Sequence, residues 1–424
     1  MNIHNKPSGR LIILMPESTY RAEPFIEAAK LLGLEVVIAS DRCHALADFW
    51  RVPLALSFQD PARAVAEIVT YVREHQVDAI IPVDDRTTEL AASACQILSL
   101  PHNTPEAAQA ANNKRIMREL LLKSEVPGPA FKVVDVSDDP AAIARLTTFP
   151  CVLKPLLLSG SRGVIRADTV PQFLEAHHRI SGIIDKTRAG RPDEPDAARI
   201  LIEQYIPGCE IALEGILSNG SLHVLAVFDK PDPLEGPFFE ETIYVTPSLL
   251  PKAVLQDVAN ITESATQAMG LQVGPVHAEL RINEEGVWLI EVAGRSIGGL
   301  CSRTLQFGLG MTLEELILRQ ACNLDLTDIE RQDHAAGVMM LPVPGAGILR
   351  SVSGQKRASS VAGIEDVVIT ARHGDTLVPL PEGSSYLGFI FARGDTPQYV
   401  DRALRLAYRE LKFHVAEQLP VLSN

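Results

Sequence analysis

One stretch of the chain concentrates side chains able to do chemistry: Gly274-Pro-Val-His-Ala-Glu-Leu-Arg-Ile-Asn-Glu-Glu-Gly-Val-Trp-Leu-Ile-Glu-Val-Ala-Gly-Arg295. Alternating runs flank Glu284-Glu285-Gly286, the pattern of an antiparallel hairpin. A three-residue loop with glycine in the left-handed position pairs Asn283 with Val287, Arg281 with Leu289 and Glu279 with Glu291. Leu280, Ile282, Trp288, Ile290 and Val292 then form a core face, and His277, Glu279, Arg281 and Glu291 share the other. Two carboxylates directly opposite repel by roughly 4 kcal/mol at about 4 Å and an effective dielectric of about 20, so a cation is expected between them. Hard oxygen ligands suit Mg²⁺, which takes one or two carboxylates plus substrate phosphates. A solvent-facing hairpin neutralised by Arg281 satisfies the same residues. A two-residue turn would move the glutamates to opposite faces.

Lys154 interrupts the apolar run 151–158 and needs an anion or a route to water. Ser159-Gly-Ser-Arg-Gly163 follows, a small-residue loop whose N–H groups could cradle phosphate, although it lacks the Walker A pattern and could equally be a turn. Lys114 opens a helix in Asn112-Asn-Lys-Arg-Ile-Met, where a surface lysine is the plain reading. Ile200-Leu-Ile-Glu-Gln-Tyr-Ile-Pro-Gly-Cys-Glu210 is an apolar strand ending in Glu203 and a turn, able to offer backbone groups and a carboxylate to a purine edge.

The elements that must position these groups are legible in outline. The first hundred residues alternate short apolar strands (11–15, 35–39, 78–83) with helices (23–32, 88–100), which implies an α/β domain with a parallel sheet. Met15-Pro16-Glu17-Ser18 stands where a dinucleotide fingerprint would follow the first strand, so no such site is expected. Residues 112–123 read as a helix. A β-rich stretch follows (131–136, 151–156, 163–167, 200–206), broken by a polar loop at 187–198. Asn219-Gly220 marks a hairpin between 210–217 and 222–228. The part beyond about 320 mixes strands and turns and is expected to close with a helix at 398–419.

The 424 residues carry 39 basic and 53 acidic side chains, net −14, which speaks against a nucleic-acid surface. No apolar stretch approaches 18 residues, so no membrane span is expected. Residues 1–10 are polar and the apolar run after them is too short for a signal-peptide core. Six scattered cysteines (Cys43, Cys95, Cys151, Cys209, Cys301, Cys322) show no metal spacing and read as thiols of a reducing compartment. A cytoplasmic protein is the expectation.

Taken in order, Lys114, Lys154 with its glycine loop, Glu203-Gln-Tyr-Ile with Glu210, and Glu279…Glu291…Arg295 resemble the ATP-grasp superfamily. Gly363-Ile-Glu…Gly374-Asp…Leu387-Gly-Phe-Ile-Phe-Ala-Arg-Gly394 is similar to the C-terminal domain of its L-amino-acid ligase group, the dipeptide synthases. The resemblance implies a Rossmann-like domain at 1–110, an ATP-grasp domain of α+β type at 111–320 with a β-rich lid at about 131–206, and a small α+β ligase-type domain at 321–424. It implies that Lys114, Lys154 and the loop Ser159, Gly160, Ser161 and Gly163 hold ATP phosphates. Glu203 with the backbone of Tyr205 and Ile206 would take adenine, Glu210 the ribose, Glu279 and Glu291 Mg²⁺ (or Mn²⁺), and Arg295 the acyl phosphate. Glu240, Glu241 and Tyr244 stand where related ligases meet an amino acid, although a surface strand with two solvated glutamates fits them as well. Gly298 and Gly299, after Arg295, would let a substrate backbone approach closely or could equally be a helix-entry turn. Ala293 occupies a position where many relatives carry asparagine, which leaves the number of metal ions open. The implied activity is ATP-dependent joining of a small-molecule carboxylate, expected to be an amino acid, to an amine, by a homodimer. A carboxylase-like or nucleotide-precursor ligase, or a silent nucleotide-binding regulator, are the competing readings.

Overall fold

The computed structural model describes residues 9–16, 19, 21–41, 54–188, 194–327 and 329–417. Cys43 and the Glu17-Ser18 pair lie outside them. Among the described residues no helix is long and apolar enough to cross a membrane.

Four short apolar segments, β1 (Arg10–Met15), β2 (Glu35–Asp41), β3 (Leu54–Leu56) and β4 (Ala79–Pro82), form a parallel sheet in the order β3-β2-β1-β4. Helices α1 (Ala22–Leu31), α2 (Pro61–Glu74) and α3 (Asp85–Leu98) connect and cover it. Strand alternation sends Ile12 and Leu14 towards α2 and α3, and Leu11 and Ile13 towards α1 and the rest of the molecule. The Asp60 and Asp84 carboxylates accept N–H groups of the first turns of α2 and α3, which starts both helices where the strands end.

The helix expected at 112–123 is divided. α4 (Pro105–Asn112) stops, and Asn113, in extended conformation, caps α5 (Lys114–Lys123) through its side-chain oxygen. The next subdomain is an antiparallel sheet in the order β5-β8-β6-β7, from β5 (Phe131–Asp135), β6 (Cys151–Pro155), β7 (Ile165–Ala167) and β8 (Arg199–Gln204). Between them lie α6 (Pro140–Arg145) and α7 (Val170–Arg188). The sequence reading has no helix corresponding to α7, whose Phe173, Ile180 and Ile184 pack on Leu153 and Ile202. So the subdomain is α+β rather than only β-rich, and the polar loop expected from 187 begins within the end of a helix.

β9 (Cys209–Ser218) and β10 (Ser221–Asp229) form the expected hairpin. Asn219 and Gly220 both have positive φ, as the tight turn requires. After β11 (Ile243–Thr246) and α8 (Lys252–Met269) come β12 (Gly274–Asn283) and β13 (Gly286–Ala293). The small strands β14 (Gln306–Phe307) and β15 (Met311–Thr312) pair, and α9 (Leu313–Ala321) follows. Beyond residue 321 lie β16 (Ala335–Met340), β17 (Gly347–Ser353), α10 (Gln355–Ser359), β18 (Ile364–Ile369), β19 (Thr376–Leu377), β20 (Gly388–Gly394), α11 (Pro397–Glu410) and β21 (Lys412–Ala416). The closing helix is thus shorter than the expected 398–419. Its last stretch is a strand paired with β17, which places Phe413 and Val415 against the local core while Lys412 and His414 face out. One eight-stranded sheet, β13-β12-β9-β10-β11-β16-β20-β18, carries the hairpin into the C-terminal part without a break.

Candidate active site

The β12–β13 hairpin is built differently from the three-residue expectation. Asn283 pairs with Gly286, so the turn holds only Glu284 and Glu285, and Arg281 faces Trp288 rather than Leu289. The Asn283 amide explains the shorter turn. Its oxygen accepts from the Glu285 N–H (2.9 Å) and from Trp288 Nε1 (3.2 Å), and its nitrogen donates to Pro207 O (3.1 Å). The core face is accordingly Leu280, Val287, Leu289 and Val292, while Trp288 and Ile290 are only half-buried. Such a turn alone would separate the two glutamates. A β-bulge between Leu289 and Glu291 restores the phase, and Glu279 stands opposite Glu291 after all.

Arg118, on α5, holds the bulge in place. Its Nη1 donates to Leu289 O at 3.0 Å and its Nη2 to Ile290 O at 2.5 Å, while its Nε meets Glu203 Oε1. Glu203 Oε2 takes Lys154 Nζ at 2.6 Å. Burial raises the Glu203 carboxyl, but Arg118 and Lys154 outweigh it and bring it down to about 2. Both Glu203 oxygens therefore serve protein cations, a different partnership from the purine edge expected of them. The Tyr205 N–H donates to Pro150 O and the Ile206 carbonyl accepts from Arg281, which leaves the Ile206 N–H unpartnered among the described residues.

Lys114, the first residue of α5, reaches Leu158 O (2.8 Å) and Glu291 Oε1 (2.9 Å). The glycine loop runs through three left-handed residues, Gly160, Ser161 and Gly163. A Cβ at Gly163 would lie 2.6 Å from the Pro155 ring, so glycine is required there. The Gly163 N–H is spent on Pro381 O (2.8 Å), while Ser159, Gly160 and Ser161 line the cavity.

Glu210 is clamped by Lys230 (2.8 Å) and Arg281 (2.8 Å). Lys230 Nζ also bonds Glu241 and lies 3.6 Å from Glu279. The acidic trio Glu210, Glu241 and Glu279 thus already surrounds a fixed ammonium. Burial pushes the Glu241 carboxyl up, to about 7, with Glu279 and Glu210 acting in the same direction against Lys230. Tyr244 donates its hydroxyl to the same Glu241 oxygen at 2.8 Å. His277 Nδ1 lies 3.1 Å from Glu214, a fully buried carboxylate that also accepts the Ile297 N–H. Burial lowers the imidazole, but Glu214 and Glu279 prevail and lift it to about 9. Arg295 pairs with Asp85 at 2.5 Å.

Most of these groups line one cavity of ≈ 520 Å³, while Arg118, Lys230 and Glu214 hold lining residues without being on its wall. Of the residues expected in the site, Gly163 and Glu240 lie off its lining; the others, Gly298 and Gly299 included, are on it. The sequence reading missed Arg118, Lys230, Glu214, Asp85 and Arg21. Glu214 was signalled as the one charge within the apolar run 211–217, and Asp85 by its place just after β4. Arg118 carried no signal, since arginine on a helix is ordinarily exposed.

Residues 26–102 match the ATP-grasp N-terminal domain, 147–304 the ATP-grasp domain, and 339–416 the L-amino acid ligase C-terminal domain 2. The chain thus carries an ATP-grasp domain at 147–304 with an ATP-grasp N-terminal domain before it. This ATP-grasp chain is similar to alanine–anticapsin ligase of Bacillus subtilis (strain 168), 26% identical over 283 residues, a match spanning 62% of this chain and 58% of that protein. Dapdiamide A synthase of Enterobacter agglomerans is 24% identical over 353 residues, 80% of each chain. The fold matches the crystal structure of L-amino acid ligase from Bacillus licheniformis with a TM-score of 0.78 at 24% identity, covering 98% of this chain and 100% of that one.

Proposed function

We propose that this ATP-grasp chain is an ATP-dependent carboxylate–amine ligase that activates an amino acid as an acyl phosphate and joins it to an amine, releasing ADP and phosphate. The observation that carries the reading is the pairing of Glu279 with Glu291 on a cavity wall reached by Lys114, Lys154 and Arg295. The ligase-type match at 339–416, and the ligase and synthase relatives, favour an amino-acid substrate over bicarbonate or a nucleotide precursor.

A carboxylate is a poor acyl donor at neutral pH because its leaving group is poor; phosphoryl transfer from ATP supplies a better one. Lys114 and Lys154 would hold the phosphates, with Ser159, Gly160 and Ser161 over them. Glu279 and Glu291 offer carboxylate oxygens where the structure sets Lys114, Lys230 and His277 against them, a donor set that fits Mg²⁺. Bound there, the ion would neutralise charge on the transferred phosphoryl group. Arg295, fixed by Asp85, would face the acyl phosphate with its planar fork. Glu241, on the cavity wall with Lys230 and Tyr244 both on its Oε1, is the candidate to meet an α-ammonium group. The Ile206 N–H and the Glu210 carboxylate remain the candidates for adenine and ribose.

Phosphate release tests this. Amino-acid pairs with ATP and Mg²⁺ should give phosphate and a condensed product visible by mass spectrometry. Absence of phosphate with every pair would leave a nucleotide binder.

A further inference from the structure

Arg21 stands at the N-terminal edge of α1 and lines the same cavity. Lys114, Lys154, Arg281 and Arg295 line it too, and each holds a carboxylate at 2.5–2.9 Å. Arg21 differs. Its Nη2 donates to Ser296 O (3.1 Å) and Ser296 Oγ (2.9 Å), and among the described residues no carboxylate lies within ion-pair distance of it. Nε and Nη1 are left without a partner among those residues. Burial and the neighbouring Arg295 both push the guanidinium below its usual range, the opposite of what an ion pair would do. A second cation beside an already neutralised Arg295 is a place for an anion that arrives with a substrate.

Two substrate anions could serve: the phosphoryl group being transferred, or a carboxylate on the amine. The charges that act most strongly on Arg295 include Glu291, one of the paired glutamates, whereas those strongest on Arg21 are Arg295, Asp85, Asp84 and Glu214. Arg21, at the N-terminal edge of α1 and bonded to Ser296, stands on the N-terminal-domain side of the cavity. Two residues on from Ser296, on the wall of the same cavity, a Cβ at Gly298 would meet nothing within 4 Å, so there is open space for a second substrate.

We propose that Arg21 is the residue that binds the carboxylate of the amine substrate and so distinguishes a free acid from its carboxamide. The proposal rests on the ligase reading above. A guanidinium whose Nε and Nη1 meet no partner among the described residues matches a carboxylate in a way that an ammonium could not.

The experiment fixes a carboxylate substrate that supports phosphate release and compares an amino acid with its own carboxamide as the amine, in the wild type, Arg21→Ala and Arg21→Lys. The wild type should prefer the free acid in kcat/KM by roughly tenfold or more, chiefly through KM. Arg21→Ala should erase that preference. Arg21→Lys, which keeps the charge but loses the fork, should lower it, and it carries the test if the alanine variant does not fold. Comparing ratios between enzymes cancels the different basicity of the two amines. An unchanged preference in both variants overturns the proposal. Equal loss with acid and amide assigns Arg21 to the phosphoryl group and overturns it as well. Absence of phosphate release by the wild type with every pair is a separate outcome, which removes the ligase reading itself.

Discussion

Arg118 and Glu203 are 2% and 3% exposed, and either would be costly to bury alone. Together with Lys154 they form a chain of charge from α5 to β6, which fixes the lysine proposed for phosphate. The Glu203 pair has a pH signature. Its carboxyl ionises at about 2 in the folded protein against an ordinary 4.5, so its stabilisation is fully present above pH 4.5 and lost as pH falls towards 2. That difference corresponds to about 3 kcal/mol. Glu203→Gln, which mimics the protonated acid, should be less stable by about this amount near pH 6 in urea titrations. The gap should narrow as pH is lowered below 4.5; a gap independent of pH would show that Glu203 is not charged in the fold. Glu291→Gln acts at the other end of the site. It removes the charge opposite Glu279 and the partner of Lys114, and should abolish ADP release while leaving a folded protein. Undiminished turnover would take Glu291 out of the metal site.

At the scale of elements, the hairpin reached its expected outcome by an unexpected route. Alternation and the glutamate positions were legible, and with them the shared face. The turn length was not, because it depends on Asn283 reaching Pro207, and the bulge was not, because Arg118 satisfies its carbonyls from a helix about 170 residues earlier in the chain. α7 escaped for a related reason: its apolar residues are interspersed with His, Arg and Asp and bury their stripe only against the lid sheet. The same lid is tied to the C-terminal part. The Gly163 N–H donates to Pro381 O, Arg162 Nε to Glu382 O (2.9 Å), and Arg179 grips the Glu382 carboxylate. A glycine loop held from outside its own subdomain depends on that hold. Glu382→Ala should raise the KM for ATP several-fold and increase ATP hydrolysis without amide product, because a looser lid admits water to the acyl phosphate. The double exchange Arg179→Glu with Glu382→Arg should recover coupling. If the single variant keeps one product per ATP at an unchanged KM, the contact is incidental.

The molecule as a whole is organised by the eight-stranded sheet. Sequence patterning separated an N-terminal α/β part and a β-rich middle, but it offered no sign that β11 pairs with β16 across the boundary set at about 320, because a long-range register leaves no local mark. The consequence is energetic. Val338, Met340, Phe389 and Phe391 from the C-terminal part share one core with Phe228, Tyr244 and Phe307 from the middle and with Leu11, Ile13 and Phe25 from the N-terminal domain. Ending the chain at residue 320 would uncover that face and leave β11 as an apolar edge, its four residues all buried in the intact protein. It would also remove Met340, Ser384, Ser385 and Tyr386 from the cavity wall. A 1–320 chain should therefore aggregate and show no cooperative melt, whereas the full chain melts with the middle and C-terminal parts together. A soluble 1–320 protein with a sharp transition and undiminished nucleotide binding would mean that the three parts are independent. The cavity would then belong to the middle part alone.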